Sequence, residues 1–381
     1  MLMDIFHFDK RAIQVLKNLQ QAEYDSWFVG GCVRDCLIGK PFTDYDLATC
    51  AHPSDVTSLF RKDFELNLIG EQFGCIRVRY DDLWVEITTL RKDVCPDGRH
   101  TSIAFTTNLA EDAKRRDFTI NALYWNEAGV IDFFKGKIDL EQQVVRFIGN
   151  AHDRVQEDYL RILRFFRFSS SYAKDLNQDN LHACEVHQDG LRYLSGNRVW
   201  SEWKKMLFQP NTLRVLQAIQ ATGIDATLFG DKLDIQVYTT YKGRDPLLLT
   251  KLLLPSMHIQ HLAHRLNLTV TQKEWLKAAI SLNLNHDFRN LYLRYGQNTK
   301  ELVYYWACKY MKNSDEILAE SFWNVQNPVF PLTGKDILKL GCQPGPIVGD
   351  YLECAQQWWV QNNFKPSTQE CLCYVKTLFN K

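Results

Sequence analysis

The hydrophobic patterning of this 381-residue chain changes character near Asn150, and no other feature restricts its fold as much. Before that point, short strand-like runs (SWFVGG, DYDLATC, GCIRVRY, LWVEITTLR, VIDFF, VVRFIG) alternate with helical ones. After it the strand signal nearly vanishes. HDRVQEDYLRILRFFRF, NRVWSEWKKMLF, TLRVLQAIQ, LAHRLNL, KEWLKAAISLNL and VGDYLECAQQWWVQNN all carry helical spacing. The expected architecture is therefore α+β: a mixed sheet with helices, then an all-α extension. In the first part NLAEDAKRRDFTINALYW predicts a helix capped by Asn108, and residues 92–108, rich in turn formers, predict a mobile loop.

At 45% hydrophobic and 24% charged, the chain has the material for two to four compact units, which excludes disorder, collagen and coiled coil. Its net charge of zero is a cancellation: residues 1–150 carry 18 Lys+Arg against 23 Asp+Glu, and the remainder 27 against 22. A modestly basic helical half can meet an anionic partner on a local surface, without a broad positive coat. Eleven cysteines without a CxxC pair predict free thiols in a reducing compartment. The start carries Asp4 and Asp9 and has no signal-peptide pattern, and LLLTKLLLP is short and broken by Lys251. A cytoplasmic protein without a membrane span is expected, and no protein partner is implied.

Chemistry concentrates in the first part. Gly30-Gly31 ends one strand and opens a helix containing Arg34, and the next strand presents Asp44 and Asp46 two residues apart, on one face. Two carboxylates held together favour a cation between them, and their hard oxygens suit Mg²⁺. The glycines let the backbone approach a triphosphate, and Arg34 adds charge. Glu86, on LWVEITTLR, is a candidate third carboxylate from a neighbouring strand.

The order of strand, GG, helix, DxD strand and carboxylate strand resembles the nucleotidyltransferase superfamily that includes DNA polymerase β, where acids hold metals for in-line transfer. GGCVRDCLIGKPFTDYDLAT, RRDFTINAL and EDYLRILRFFRF narrow the resemblance to class II tRNA nucleotidyltransferases, the CCA-adding enzymes, and the related bacterial poly(A) polymerases. It is strong over about residues 26–210; LSGNRVWSEWKKML is an altered form of a later family segment. The resemblance implies a catalytic head over 1–149, a neck that recognises the base over 150–215, and an RNA-binding body and tail over 216–320 and 321–381. The implied activity is template-independent addition of C, C and A from CTP and ATP to tRNA lacking all or part of its 3′ CCA. It also implies Arg116 on the phosphates, Asp117 and Asn121 near the ribose, and a loop, here with Asp93, Asp97 and Arg99, that switches C to A addition.

In EDYLRILRFFRF, Asp158, Arg161, Arg164 and Arg167 recur every three residues and predict one polar stripe beside a large apolar face. An Asp acceptor beside an Arg donor complements the Watson–Crick edges of cytosine and adenine, which pair an exocyclic amine with a ring-nitrogen acceptor. Uracil and guanine present the reverse pattern. Asp158 with Arg161 is thus expected to read the base, and Arg34, Arg116, Arg164 and Arg167 to hold the nucleotide. Trp200, Trp203, Trp275, Tyr304, Tyr305, Trp306, Trp358 and Trp359 enrich the helical part in aromatics, most of them expected in its core. His258, His261 and His264, the set His182, Cys184 and His187, and the pairs His152-Asp153 and His286-Asp287 lack the partners of a metal site. The rivals are a poly(A) polymerase or A-adding enzyme, a small-molecule nucleotidyltransferase, and a catalytically inert RNA-binding protein.

Overall fold

Asp9 opens the first helix by accepting the Arg11 backbone N–H at 2.8 Å, and α1 (Lys10–Gln21) buries Ala12, Val15, Leu16 and Leu19 against the sheet. The structure, a computed structural model of the chain, describes residues 7–94, 102–281, 293, 295–310 and 329–379. Seven strands form the main sheet: β1 (Ser26–Val29), β2 (Tyr45–Thr49), β3 (Glu65–Asn67), β4 (Cys75–Tyr80), β5 (Leu83–Thr89), and, after two strands outside it, β8 (Leu123–Asn126) and β9 (Gly129–Asp132). Their order is β3-β4-β5-β2-β1-β8-β9, and every pairing is antiparallel except β2 with β5. Alternation sets the faces: Ile76 and Val78 of β4 and Val85 and Ile87 of β5 are buried, while Arg77 and Arg79 are exposed. The parallel pair places Glu86 opposite Asp46. Helices α2 (Gly31–Leu37) and α3 (Pro53–Phe60) follow β1 and β2.

Four local expectations are corrected. Residues 92–108 are not all loop, because β6 (Arg91–Val94) and β7 (Ser102–Phe105) pair antiparallel into a two-stranded ribbon. Asp97 and Arg99 lie outside the described residues, as do His286 and Asp287. The helix expected through RRDFTINALYW stops early: α4 (Leu109–Arg115), capped by the Asn108 side chain, gives way to a 3₁₀ turn (Thr119–Asn121) and then to β8. Register with β1, Phe28 against Trp125 and Val29 against Tyr124, supplies the hydrogen bonds that override the local helical period. VVRFIG forms no strand and contributes one isolated bridge, Phe118 to Phe147, after α5 (Gly136–Glu141). The helix expected through EDYLRILRFFRF is broken into α6 (Ala151–Glu157) and α7 (Leu160–Tyr172), with Asp158 extended between them.

Phe118 stacks on Phe147 (4.8 Å between ring centroids) and meets Phe168 edge-on (5.3 Å), while Phe147 contacts Phe165 (5.9 Å). This buried aromatic set seats α7 beside the sheet and leaves its arginine stripe facing outward. Helices α8 (Gln178–Val186) and α9 (Gly196–Met206) complete that side, with α9 packed on α7.

The chain divides into two compact units, Met1–Gly230 and Asp231–Lys381. The described part of the second is helical, including Pro246–Leu253, Val270–Ser281, Thr299–Tyr310, Pro346–Gln361 and Thr368–Phe379. Trp203, Tyr305 and Trp359 are core residues, and Trp358 stacks on Tyr374 at 4.6 Å. Among the described residues no helix is long and apolar enough to cross a membrane. Cys32 and Cys75 are free thiols that burial pushes up to about 12.

Candidate active site

A cavity of about 830 Å³ opens in the first unit, where the end of β1, the start of β2, the Arg116–Asn121 segment and α7 converge. Of the thirteen residues singled out from sequence, Gly30, Gly31, Arg34, Asp44, Asp46, Arg116, Asp117, Asn121, Asp158, Arg161, Arg164 and Arg167 line it, and Glu86 does not. Arg91, Arg115, Arg198 and Lys205 line it too, giving nine cationic side chains against four carboxylates. The size suits one nucleotide, and the charge suits a polyanion.

Gly30 turns the chain with φ +72°, a conformation that favours glycine, and a Cβ there would come within 3.6 Å of Arg116 Nη1. The turn therefore brings bare backbone beside a guanidinium. Asp44 immediately precedes β2, whereas Asp46 lies within it and is partly buried. Burial, then the nearby charge of Glu86, raises the Asp46 carboxyl to about 6, with Asp44 adding to the effect and Arg116 opposing it. Glu86 itself pairs with Arg77 at 3.2 Å. Two clustered carboxylates at a cavity wall, one of them disfavoured as an anion, are a donor set that a hard divalent cation would relieve. Such a cation is commonly held by one or two carboxylates, the rest of its shell coming from water and substrate phosphate.

The arginines are anchored from behind. Arg34 donates through Nε and Nη2 to the two Asp35 oxygens (both 2.9 Å), through Nη1 to Asn121 Oδ1, and through Nη2 to the Tyr172 hydroxyl (2.7 Å). With its donors so engaged, it offers the cavity charge more than free N–H groups. Arg164 Nε donates to Asp117 Oδ2 at 2.6 Å, and Arg167 Nε lies 3.0 Å from the buried Glu202 on α9. Burial pulls the Arg167 guanidinium down to about 10, partly offset by Glu202, and it stays charged at neutral pH. Asp117 and Asn121 do meet, Asn121 Nδ2 donating to Asp117 Oδ1 at 3.0 Å, but across the 3₁₀ turn and not along a helix face.

Asp158 also departs from the expected stripe. Its Oδ1 accepts the Leu160 backbone N–H at 3.1 Å, a local bond that competes with helix continuation and explains the break before α7. Its Oδ2 accepts from Arg198 Nη2 at 2.7 Å, while Arg161 donates to Glu157 and to the Arg154 carbonyl (2.8 Å). Asp158 and Arg161 thus share the cavity but bond to different partners.

The supporting residues Asp112, Glu157, Glu202, Tyr124, Tyr172 and Arg198 were not predicted. Three left a signal: Arg198 and Glu202 stand in LSGNRVWSEWKKML, and Asp112 lies three and four residues before Arg115 and Arg116, the spacing of helical ion pairs. Burial raises the Asp112 carboxyl, but the charges of Arg116 and Arg115 and the Tyr124 hydroxyl outweigh it and bring the value to about 2, below the ordinary 3.8. A carboxyl depressed on folding contributes stability that is present above its unfolded value and lost as pH falls through its folded one. The stability advantage of the wild type over Asp112→Asn, read from urea midpoints, is expected to shrink by about 2 kcal/mol between pH 7 and pH 2.

His258, His261, His264 and His182 are exposed and Cys184 is buried. His152 Nδ1 lies 3.1 Å from His187 Nε2. Among the described residues no group of three or more His, Cys, Asp or Glu is arranged to hold a metal ion.

Residues 26–146 match the family described as the poly(A) polymerase head domain. The mitochondrial CCA tRNA nucleotidyltransferase 1 of Danio rerio is 32% identical, the match covering 96% of this chain and 90% of that protein. The CCA-adding enzyme of Streptococcus pyogenes (strain MGAS10270) is 39% identical over 56% of this chain and 53% of its own. Among solved structures, the Bacillus stearothermophilus CCA-adding enzyme in complex with CTP superposes with a TM-score of 0.69 at 25% identity, covering 97% of both chains. The Thermotoga maritima CCA-adding enzyme complexed with tRNA shares the fold, with a TM-score of 0.61 at 18% identity.

Proposed function

The chain belongs to the family of CCA-adding tRNA nucleotidyltransferases, and from that premise we propose that its first-unit cavity is where C, C and A are joined to a tRNA 3′ end. The enzyme is a metal-dependent nucleotidyltransferase using CTP and ATP. The observation that carries the site reading is the convergence in one cavity of the acidic pair, the anchored arginines, and Asp158 with Arg161.

In this reading Asp44 and Asp46 hold Mg²⁺, which when bound activates the attacking 3′-hydroxyl and offsets charge at the α-phosphate. Arg116, Arg164 and Arg167 bind the triphosphate, with Arg34 adding positive potential from behind its hydrogen-bonded frame. Asp117 and Asn121 lie near the ribose, and Glu86 acts through its charge on Asp46. Asp158 accepts the exocyclic amine of cytosine or adenine, and Arg161 donates to the adjacent ring position. The wrong bases would oppose donor to donor and acceptor to acceptor in a partly buried site, a costly mismatch. The division into head, neck, body and tail, with tRNA held by the helical part through shape and backbone contacts, belongs to the same proposal. A cytoplasmic location does too, supported by free, protonated thiols such as Cys32 and Cys75.

The test is incorporation from each nucleoside triphosphate separately into tRNA ending before the CCA, after C and after CC. CTP should extend the first two and ATP the third, with UTP and GTP refused. Addition of A alone, or an A run on any RNA end, would replace this reading with an A-adding enzyme or a poly(A) polymerase.

A further inference from the structure

One fully buried carboxylate beside the cavity has no role in that scheme. Asp112 is 1% exposed on α4 and is surrounded by donors. Its Oδ1 accepts from Arg115 Nε (2.8 Å) and Nη2 (2.6 Å) and from the Arg91 backbone N–H (3.4 Å). Its Oδ2 accepts from Arg116 Nε (3.2 Å) and Nη2 (3.1 Å) and from the Tyr124 hydroxyl (2.7 Å), which itself accepts from Arg116 Nε (2.9 Å). Arg154 Nη2 fixes the backbone of the same pair, donating to the carbonyls of Arg115 (2.6 Å) and Arg116 (2.8 Å). Arg115 Nε also reaches the Arg91 carbonyl (3.1 Å), at the first residue of β6.

We propose that Asp112 is a positioning residue for triphosphate binding, holding the Arg115 and Arg116 guanidiniums at the cavity wall and tying both to Arg91 at the root of the β6–β7 ribbon. It rests on the assignment of Arg116 to the phosphates. Three arginines converge on one wall and repel each other unless an anion sits among them. Asp112 is that anion; it is buried and does not line the cavity, whereas Arg115 and Arg116 do, so their charge stays available to a ligand. Because one oxygen takes Arg115 and the other Arg116, each planar fork is held in a set orientation before the nucleotide arrives. A preorganised pair of donors loses less freedom on binding, and the benefit goes to a polyphosphate whatever base it carries.

The experiment is steady-state kinetics on the full chain, with CTP on tRNA ending before the CCA and ATP on tRNA ending in CC. In Asp112→Asn the KM for CTP and for ATP should rise by the same factor, roughly tenfold to a hundredfold. Inhibition by inorganic pyrophosphate, which has phosphates and no base, should weaken in parallel. The KM for tRNA and the refusal of UTP and GTP should not move. Tyr124→Phe keeps the carboxylate and should raise both nucleotide KM values a few-fold, and it carries the test if Asp112→Asn does not fold. A loss confined to kcat or thermal stability, with nucleotide KM and pyrophosphate inhibition unchanged, would overturn the proposal. Arg116→Ala separates the two readings: if it raises nucleotide KM and Asp112→Asn does not, only the role of Asp112 falls. If Arg116→Ala leaves nucleotide KM unchanged, the phosphate assignment falls first.

Discussion

Asp46→Asn should lower the rate of nucleotide addition by roughly a thousandfold or more while making the metal-free protein more resistant to heat. The loss follows from the place of Asp46 at the cavity wall beside Asp44, where it is assigned to hold the cation that neutralises charge in the transferring phosphate. The gain in stability follows from the same environment. Burial and the neighbouring charges of Glu86 and Asp44 raise its carboxyl to about 6, so at pH 8 the folded protein holds a carboxylate that would ionise more easily unfolded. A folded value above the unfolded one means that stability is lost as pH rises through it, and asparagine removes that loss. Single-turnover extension of tRNA ending before the CCA gives the first number, and melting temperature in chelator at pH 8 the second. Together they separate a chemical defect from misfolding, which would lower both. Addition at the wild-type rate would remove the metal-holding role from Asp46.

Asp158→Ala should relax base selectivity far more than it weakens nucleotide binding. Discrimination against UTP and GTP is expected to fall on the order of a hundredfold, because a site built to hydrogen-bond one edge rejects the other through unpaired polar groups. The KM for CTP should change only a few-fold, since the triphosphate is assigned to arginines elsewhere on the wall. The structure adds a condition. Asp158 is oriented by the Leu160 N–H on one oxygen and Arg198 on the other, and each oxygen has a second lone pair for a base amine. Competition between CTP and UTP in single extension reactions measures the ratio; an unchanged ratio would remove the template role from Asp158.

Much of this was legible beforehand because it depends on short-range rules. The β4 and β5 alternation, the Asn108 cap and the GG turn are each decided within a few residues, so local pattern reports them faithfully. The failures share one cause. RRDFTINALYW has helical spacing, yet its second half is a strand because β1 offers an open edge there. EDYLRILRFFRF has unbroken spacing, yet Asp158 interrupts it with its own side chain. In β6 and β7 the strands are too short to carry a period, and their ladder exists only because the two segments meet.

By itself, then, the sequence determined the class of fold, the residue types available for chemistry, and the family to which they point, since these follow from periodicity and motif order. Only the tertiary structure decided which carboxylate serves which arginine. Motif and spacing hinted at Asp112 and Glu202, but only packing placed them, and Glu157, each against a guanidinium. Glu86, the candidate third carboxylate, pairs with Arg77 and stays off the cavity wall. The physical reason is range: a backbone preference is settled among neighbours in the chain, whereas an ion pair is settled by burial and by distances of a few ångströms between segments far apart in it.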